Sequence, residues 1–87
     1  MDIKMKTRKD LCPWIVEALT DLNGSAQITK VREHIWQYHK DELVNSGNLH
    51  FTWHEDILWA ATQLRAQGVL KNAKATSKSV WALAKKD

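Results

Sequence analysis

The stretch TWHEDILWAATQLRAQGVL, from Thr52 to Leu70, reads as a whole helix followed by the start of a strand. Thr52 and Glu55 fit the S/T-x-x-E capping box, and Gly68 follows Gln67 as a C-terminal glycine, so the spacing predicts a helix over about Trp53–Gln67. On a helical wheel Ile57, Leu58, Ala61 and Leu64 share one apolar arc, with His54 and Arg65 at its edge. Trp59 falls on the opposite side with Glu55, Thr62 and Ala66, which turns its ring toward solvent. Trp53, in the first turn, can pack beneath the helix or project past its start.

Working outward, VLKNAK and SVWALA read as two short strands around the polar tip ATSK, with Val69, Leu70, Val80, Trp81 and Leu83 as their apolar members. On the other side, Asn45, Ser46, Gly47 and Asn48 mark a break. Before it, KVREHIWQYHKDEL predicts a second helix, with Thr29 as its cap and Val31, Ile35, Tyr38 and Trp36 on its apolar face. CPWIVEALTDLNG predicts a first helix that starts near Pro13, is capped by Asp10 and is closed by Gly24; its stripe is Ile15, Ala18, Leu19 and Leu22. Trp14 and Trp81 are assigned to the core. The order helix, short strand, helix, helix, hairpin is α+β, that of a winged helix-turn-helix: three helices plus a C-terminal β-hairpin wing. Residues 1–9 are expected as a basic N-terminal tail and 10–87 as the winged-helix domain.

At 87 residues the chain is one small domain, and 44% hydrophobic with 26% charged residues argues for a packed one. A lone cysteine, Cys12, excludes an internal disulfide and a cysteine-based zinc quartet. No apolar run approaches a membrane span, and the basic N-terminus lacks the apolar segment of a secretory leader, so a cytoplasmic address with no membrane partner is expected. The net charge of +3 is unevenly spread: residues 1–12 carry +2, residues 13–67 carry −3 and residues 68–87 carry +4. Such an arrangement suits a polyanion touched by the two ends of the chain.

In a winged helix the third helix is the one laid in the DNA major groove. The expected base-reading residues are therefore Thr52, Trp53, His54, Glu55, Asp56 and Trp59. Lys71, Lys74, Thr76, Ser77 and Lys78 of the hairpin are expected on the DNA backbone, with Thr29, Lys30 and Arg32 at the start of the second helix. His50 and His54 have an H-x3-H spacing that suits zinc, yet bring no third ligand, so no metal and no cofactor is expected. No Gly-rich phosphate loop, Ser/His/Asp set or carboxylate cluster is visible, which points to a binding module and not an enzyme.

The pattern Trp53, then Trp59-Ala60, Leu64, Gly68-Val69-Leu70, and Ser79-Val80-Trp81 with Leu83, resembles the winged-helix domain at the N-terminus of Mrr-type restriction endonucleases. Ile15 to Leu19, Gly24, Val31 and Ile35 suit the first two helices of that domain, so the likeness runs over nearly the whole chain. Two positions depart from it. Asp56 stands where the family commonly has an arginine, which removes a guanine reader, and Ser79 stands near the place of a glycine. Domains of this kind are similar to the winged helix of DpnI-like endonucleases, which reads N6-methyladenine in a duplex. The resemblance implies a duplex DNA sensor of a modification-dependent restriction system, with any nuclease on a fused or partner domain. An adenine methyl is a small apolar bump in the major groove, suited to an aromatic surface such as Trp59, and its remaining N6 hydrogen suits Asp56 or Glu55 as acceptor.

Two other readings stand beside it: a sequence-specific regulator of transcription, and a protein-interaction winged helix that oligomerises through exposed tryptophans. A monomer or weak dimer is expected.

Overall fold

Three α-helices and a two-stranded antiparallel sheet make up the described part of the chain, an α+β arrangement. The structure is a computed structural model that describes residues 6–71 and 79–84. In chain order the elements are a 3-10 turn (Arg8–Asp10), α1 (Leu11–Asp21), β1 (Ser25–Gln27), α2 (Ile28–Val44), α3 (Leu49–Ala66) and β2 (Val80–Ala82). No described helix is long and apolar enough to cross a membrane.

The chain enters its fold earlier than expected. Thr7 caps the 3-10 turn through its hydroxyl, which accepts from the Lys9 N–H, while the Asp10 carboxylate accepts from the Thr7 N–H at 2.8 Å. Asp10 thus closes a capping box on the turn, and the turn runs straight into α1. The Lys6 N–H donates to Ser46 Oγ at 2.9 Å and its ammonium lies 3.6 Å from Glu42. Residues 6–9, expected in the tail, are therefore part of the packed unit. Pro13 sits in the first turn of α1, where its missing N–H has no helical partner to lose.

α1 ends at two left-handed residues, Asn23 (φ 70°) and Gly24 (φ 99°), and the Gly24 N–H donates to Leu19 O at 2.7 Å. Gly24 then accepts from the Leu83 N–H at 2.8 Å, which fixes the helix end to the sheet. β1 and β2 pair antiparallel, with Ala26 opposite Trp81. On the other side of β2, Leu70 forms a single antiparallel bridge with Leu83, flanked by Lys71 N–H to Ala82 O and Ala84 N–H to Val69 O. The expected strand over VLKNAK is described only to Lys71, as this bridge, and the hairpin tip lies outside the described residues.

α2 starts at Ile28, so Thr29 is inside the first turn and does not cap it. Its buried residues are Val31, His34, Ile35 and Leu43, while Tyr38 is exposed and Trp36 lies at the edge of exposure. α3 also starts before its expected boundary. The Thr52 N–H already donates to Asn48 O in helical register, and the Thr52 hydroxyl donates to the Asp56 carboxylate at 2.6 Å, so no capping box forms with Glu55. Burial of Leu49 beneath the extra turn outweighs a surface cap, since an apolar side chain of that size gains roughly 1.5–3 kcal/mol on burial.

The face of α3 is rotated from the expected one. Leu49, Trp53, Ile57, Ala60, Ala61 and Leu64 are buried and Leu58 is exposed. Ala60 has no side chain beyond Cβ, which lets α1 come close enough for the Cys12 thiol to donate to the Ala60 carbonyl at 3.8 Å. The core is completed by Leu11, Trp14, Ile15, Ala18 and Leu19 of α1, with Leu70 and Trp81 from the sheet side.

Candidate nucleic-acid interface

The first two turns of α3 present Phe51, Thr52, His54 and Glu55 to solvent. Of the residues expected to read bases, these include Thr52, His54 and Glu55. Trp53 is 3% exposed and belongs to the core, so its ring is not free to meet a base edge. Trp59, expected to face outward, is half-buried against the core, with the Arg8 guanidinium 4.1 Å above its ring centroid. The wheel missed this because the cover comes from the N-terminal segment and not from α3's helical neighbours. Asp56 is half-buried and its carboxylate accepts from Thr52, which leaves Glu55 as the acceptor with no partner among the described residues.

The start of α2 lies against this surface. The Arg32 guanidinium donates from Nη2 to the His54 carbonyl at 3.1 Å, and its Nε is buried with no partner among the described residues. Lys30 is exposed and 3.8 Å from Glu33, and Thr29 is exposed beside it. Lys71 is exposed where the Leu70 bridge ends. Lys74, Thr76, Ser77 and Lys78 lie outside the described residues.

Between α2 and the start of α3 runs a groove of about 570 Å³, walled by Arg32, Glu33, Trp36, His50, Phe51 and His54 and floored by Trp53. The rings around it are ordered by one another. Trp36 lies parallel to Trp53 at 6.2 Å between centroids, His54 meets Trp53 edge-on at 4.3 Å, and Phe51 meets His50 edge-on at 4.8 Å. Phe51 is 82% exposed, the most exposed large apolar side chain described. The sequence hides it because the predicted helix starts at Trp53, after Phe51. Had Leu49 been read as core, Phe51 two residues on would have been turned toward solvent.

Chemically, this surface offers an apolar aromatic edge, one unpartnered carboxylate and neighbouring cations. Comparison with known proteins finds no matching family model, no matching curated protein and no matching solved structure.

Proposed function

We propose that the chain is a winged-helix module that binds duplex DNA through the first turns of α3 and reads N6-methylated adenine, as the sensor of a modification-dependent restriction system. The arrangement of three helices with β1, β2 and the Leu70–Leu83 bridge is compatible with a winged helix. The observation that carries the reading is that exposed Phe51, His54 and Glu55 adjoin the cationic start of α2 through the Arg32–His54 hydrogen bond. Phe51 takes the methyl-reading role expected of Trp59, and Glu55 the role of acceptor for the remaining N6 hydrogen. Lys30, Arg32 and Lys71 serve the phosphates. Catalysis, where it occurs, belongs to a fused or partner nuclease.

Fluorescence anisotropy on unmodified, adenine-methylated and cytosine-methylated duplexes tests this. A buried methyl is worth about 0.8 kcal/mol, so Phe51→Ala is expected to cut the preference for methylated adenine by about fourfold while weak binding to plain DNA persists. Equal affinity for all three duplexes would remove the methyl reading.

A second reading is favoured by the number of exposed apolar side chains: Trp36, Tyr38, Val44, Phe51 and Leu58. These suit a protein interface, in which aromatic residues are enriched. Dimerisation in sedimentation experiments that Phe51→Ala abolishes, without salt-sensitive DNA binding, would select it.

A further inference from the structure

The groove between α2 and α3 presents ring surface that the reading of base edges leaves unused. In a duplex the bases show a protein only their edges, because their faces are stacked on one another. The groove is built from rings: Phe51 stands exposed at its side, Trp36 lies at the edge of exposure on the α2 wall, and Trp53 forms the floor. Phe51 meets His50 edge-on at 4.8 Å, and most of its own ring surface stays open to solvent. At about 570 Å³ the groove lies in the range of sites that take drug-sized ligands, which admits a nucleoside.

Cations gather beside these rings. Residues 13–67 carry a net charge of −3 and contain four lysines and arginines; three of the four, Lys30, Arg32 and Lys40, are on α2 along this groove. Arg32 and Trp36 stand four residues apart on one side of the helix, about 6 Å along its axis, and both line the groove. The Lys40 ammonium returns over Trp36, 5.6 Å from the ring centroid. Arg32 donates to a neutral acceptor, the His54 carbonyl, and its Nε has no partner among the described residues. The carboxylate on the groove wall, Glu33, lies 3.8 Å from Lys30, which offsets its charge.

We propose that this groove binds single-stranded nucleic acid, with an unpaired base stacked on Phe51 and the strand's phosphates along Arg32 and Lys40. Aromatic platforms beside a cationic path are the general means of holding a single strand, since every base has a π-face whatever its sequence. A proline-rich or apolar peptide would use the rings and leave the cations unanswered. An acidic peptide would use the cations and leave the rings bare. The assignment goes beyond duplex reading and does not rest on it. The sequence conceals the groove because its rings come from two helices, with Phe51 ahead of the predicted start of the second.

The test is fluorescence anisotropy on the full chain with three labelled probes of about 12 nucleotides: oligothymidylate, an abasic deoxyribose-phosphate strand and a blunt duplex. Oligothymidylate is expected to bind at least tenfold tighter than the abasic strand, because stacking adds to phosphate attraction. Phe51→Ala should lower oligothymidylate affinity about tenfold and leave abasic affinity unchanged. Lys40→Gln should weaken both strands alike and lower their salt dependence. Leu58→Ala, at an exposed position outside the groove, should change neither. All three substitutions are at exposed side chains, and circular dichroism checks that the fold is kept. The Trp36 indole N–H resonance should shift on adding oligothymidylate. Absence of oligothymidylate binding, equal affinity for the abasic strand, an unchanged affinity in Phe51→Ala, or dimerisation through Phe51 that excludes the strand would overturn the proposal. The duplex arm separates the two readings. Oligothymidylate binding without duplex binding removes duplex reading alone, and duplex binding with a failed oligothymidylate arm removes the single-strand groove alone.

Discussion

The Arg8 guanidinium lies over the Trp59 ring, 4.1 Å from its centroid, and joins the N-terminal segment to the outer side of α3. A cation so placed over an indole is worth about 0.5–1 kcal/mol at an exposed site and more when desolvated. A double-mutant cycle with Arg8→Ala and Trp59→Leu, followed by urea unfolding, is expected to give a coupling energy of about 0.5–1 kcal/mol. Zero coupling would mean that Arg8 only passes over the ring. The same contact explains why Trp59→Ala is a poor test of DNA reading: it removes part of the fold's cover before it removes a reader.

The capping residues and tryptophans show how much of this fold the sequence carries. Gly24 and Gly68 are legible as helix ends because a left-handed backbone position leaves few other choices, and Trp14 and Trp81 as core because so large a ring in a small domain is most often buried payload. Errors arose where tertiary contacts decide. The capping box at Thr52 was outbid by burial of Leu49, and the α3 stripe turned toward Ala60 because a small residue there lets α1 approach. A helical wheel sees one helix alone, so it could not foresee that Arg8 covers Trp59 or that Trp36 lies parallel to Trp53. Of the candidate reading surface, Thr52, His54 and Glu55 were legible; Phe51 was not, since its exposure depends on where α3 begins.

Gly68 isolates a backbone effect. Its φ is +79°, it donates its N–H to Arg65 O, and a Cβ built there would meet no atom within 4 Å among the described residues. Gly68→Ala therefore introduces no clash and should destabilise through conformation alone, by about 1–2 kcal/mol, with Gly68→Asn costing less. Chemical denaturation of both variants checks the order. Equal stability of Gly68→Ala and the parent chain would show that the αL position relaxes on substitution.

Cys12 should be a slow thiol. Burial pushes its pKa up from the ordinary cysteine value, because the thiolate loses hydration that the apolar contact of α1 with α3 does not replace. A raised pKa means less thiolate at any pH below it, so alkylation by iodoacetamide should be slower than for a free cysteine at pH 8 and should keep rising as pH increases further. Partial unfolding in urea should abolish the difference. A rate at pH 8 equal to that of a small-molecule thiol would show that the helix contact opens readily.

If the α3 surface takes duplex DNA, its cations should show in the salt dependence. Each phosphate neutralised adds about 0.9 to the slope of log affinity against log salt. Lys71 is exposed at the end of the Leu70 bridge, and Lys30 is exposed at the start of α2, 3.8 Å from Glu33. Lys71→Ala is therefore expected to lower the slope by about 1 and to weaken methylated and plain duplexes alike. Lys30→Ala should have a smaller effect, because the Glu33 carboxylate already offsets part of its charge. Glu33→Gln should then strengthen binding to both duplexes and leave their ratio unchanged, which separates phosphate attraction from base reading. Anisotropy titrations at several salt concentrations measure all three variants, and an unchanged slope in Lys71→Ala would place the DNA elsewhere on the molecule.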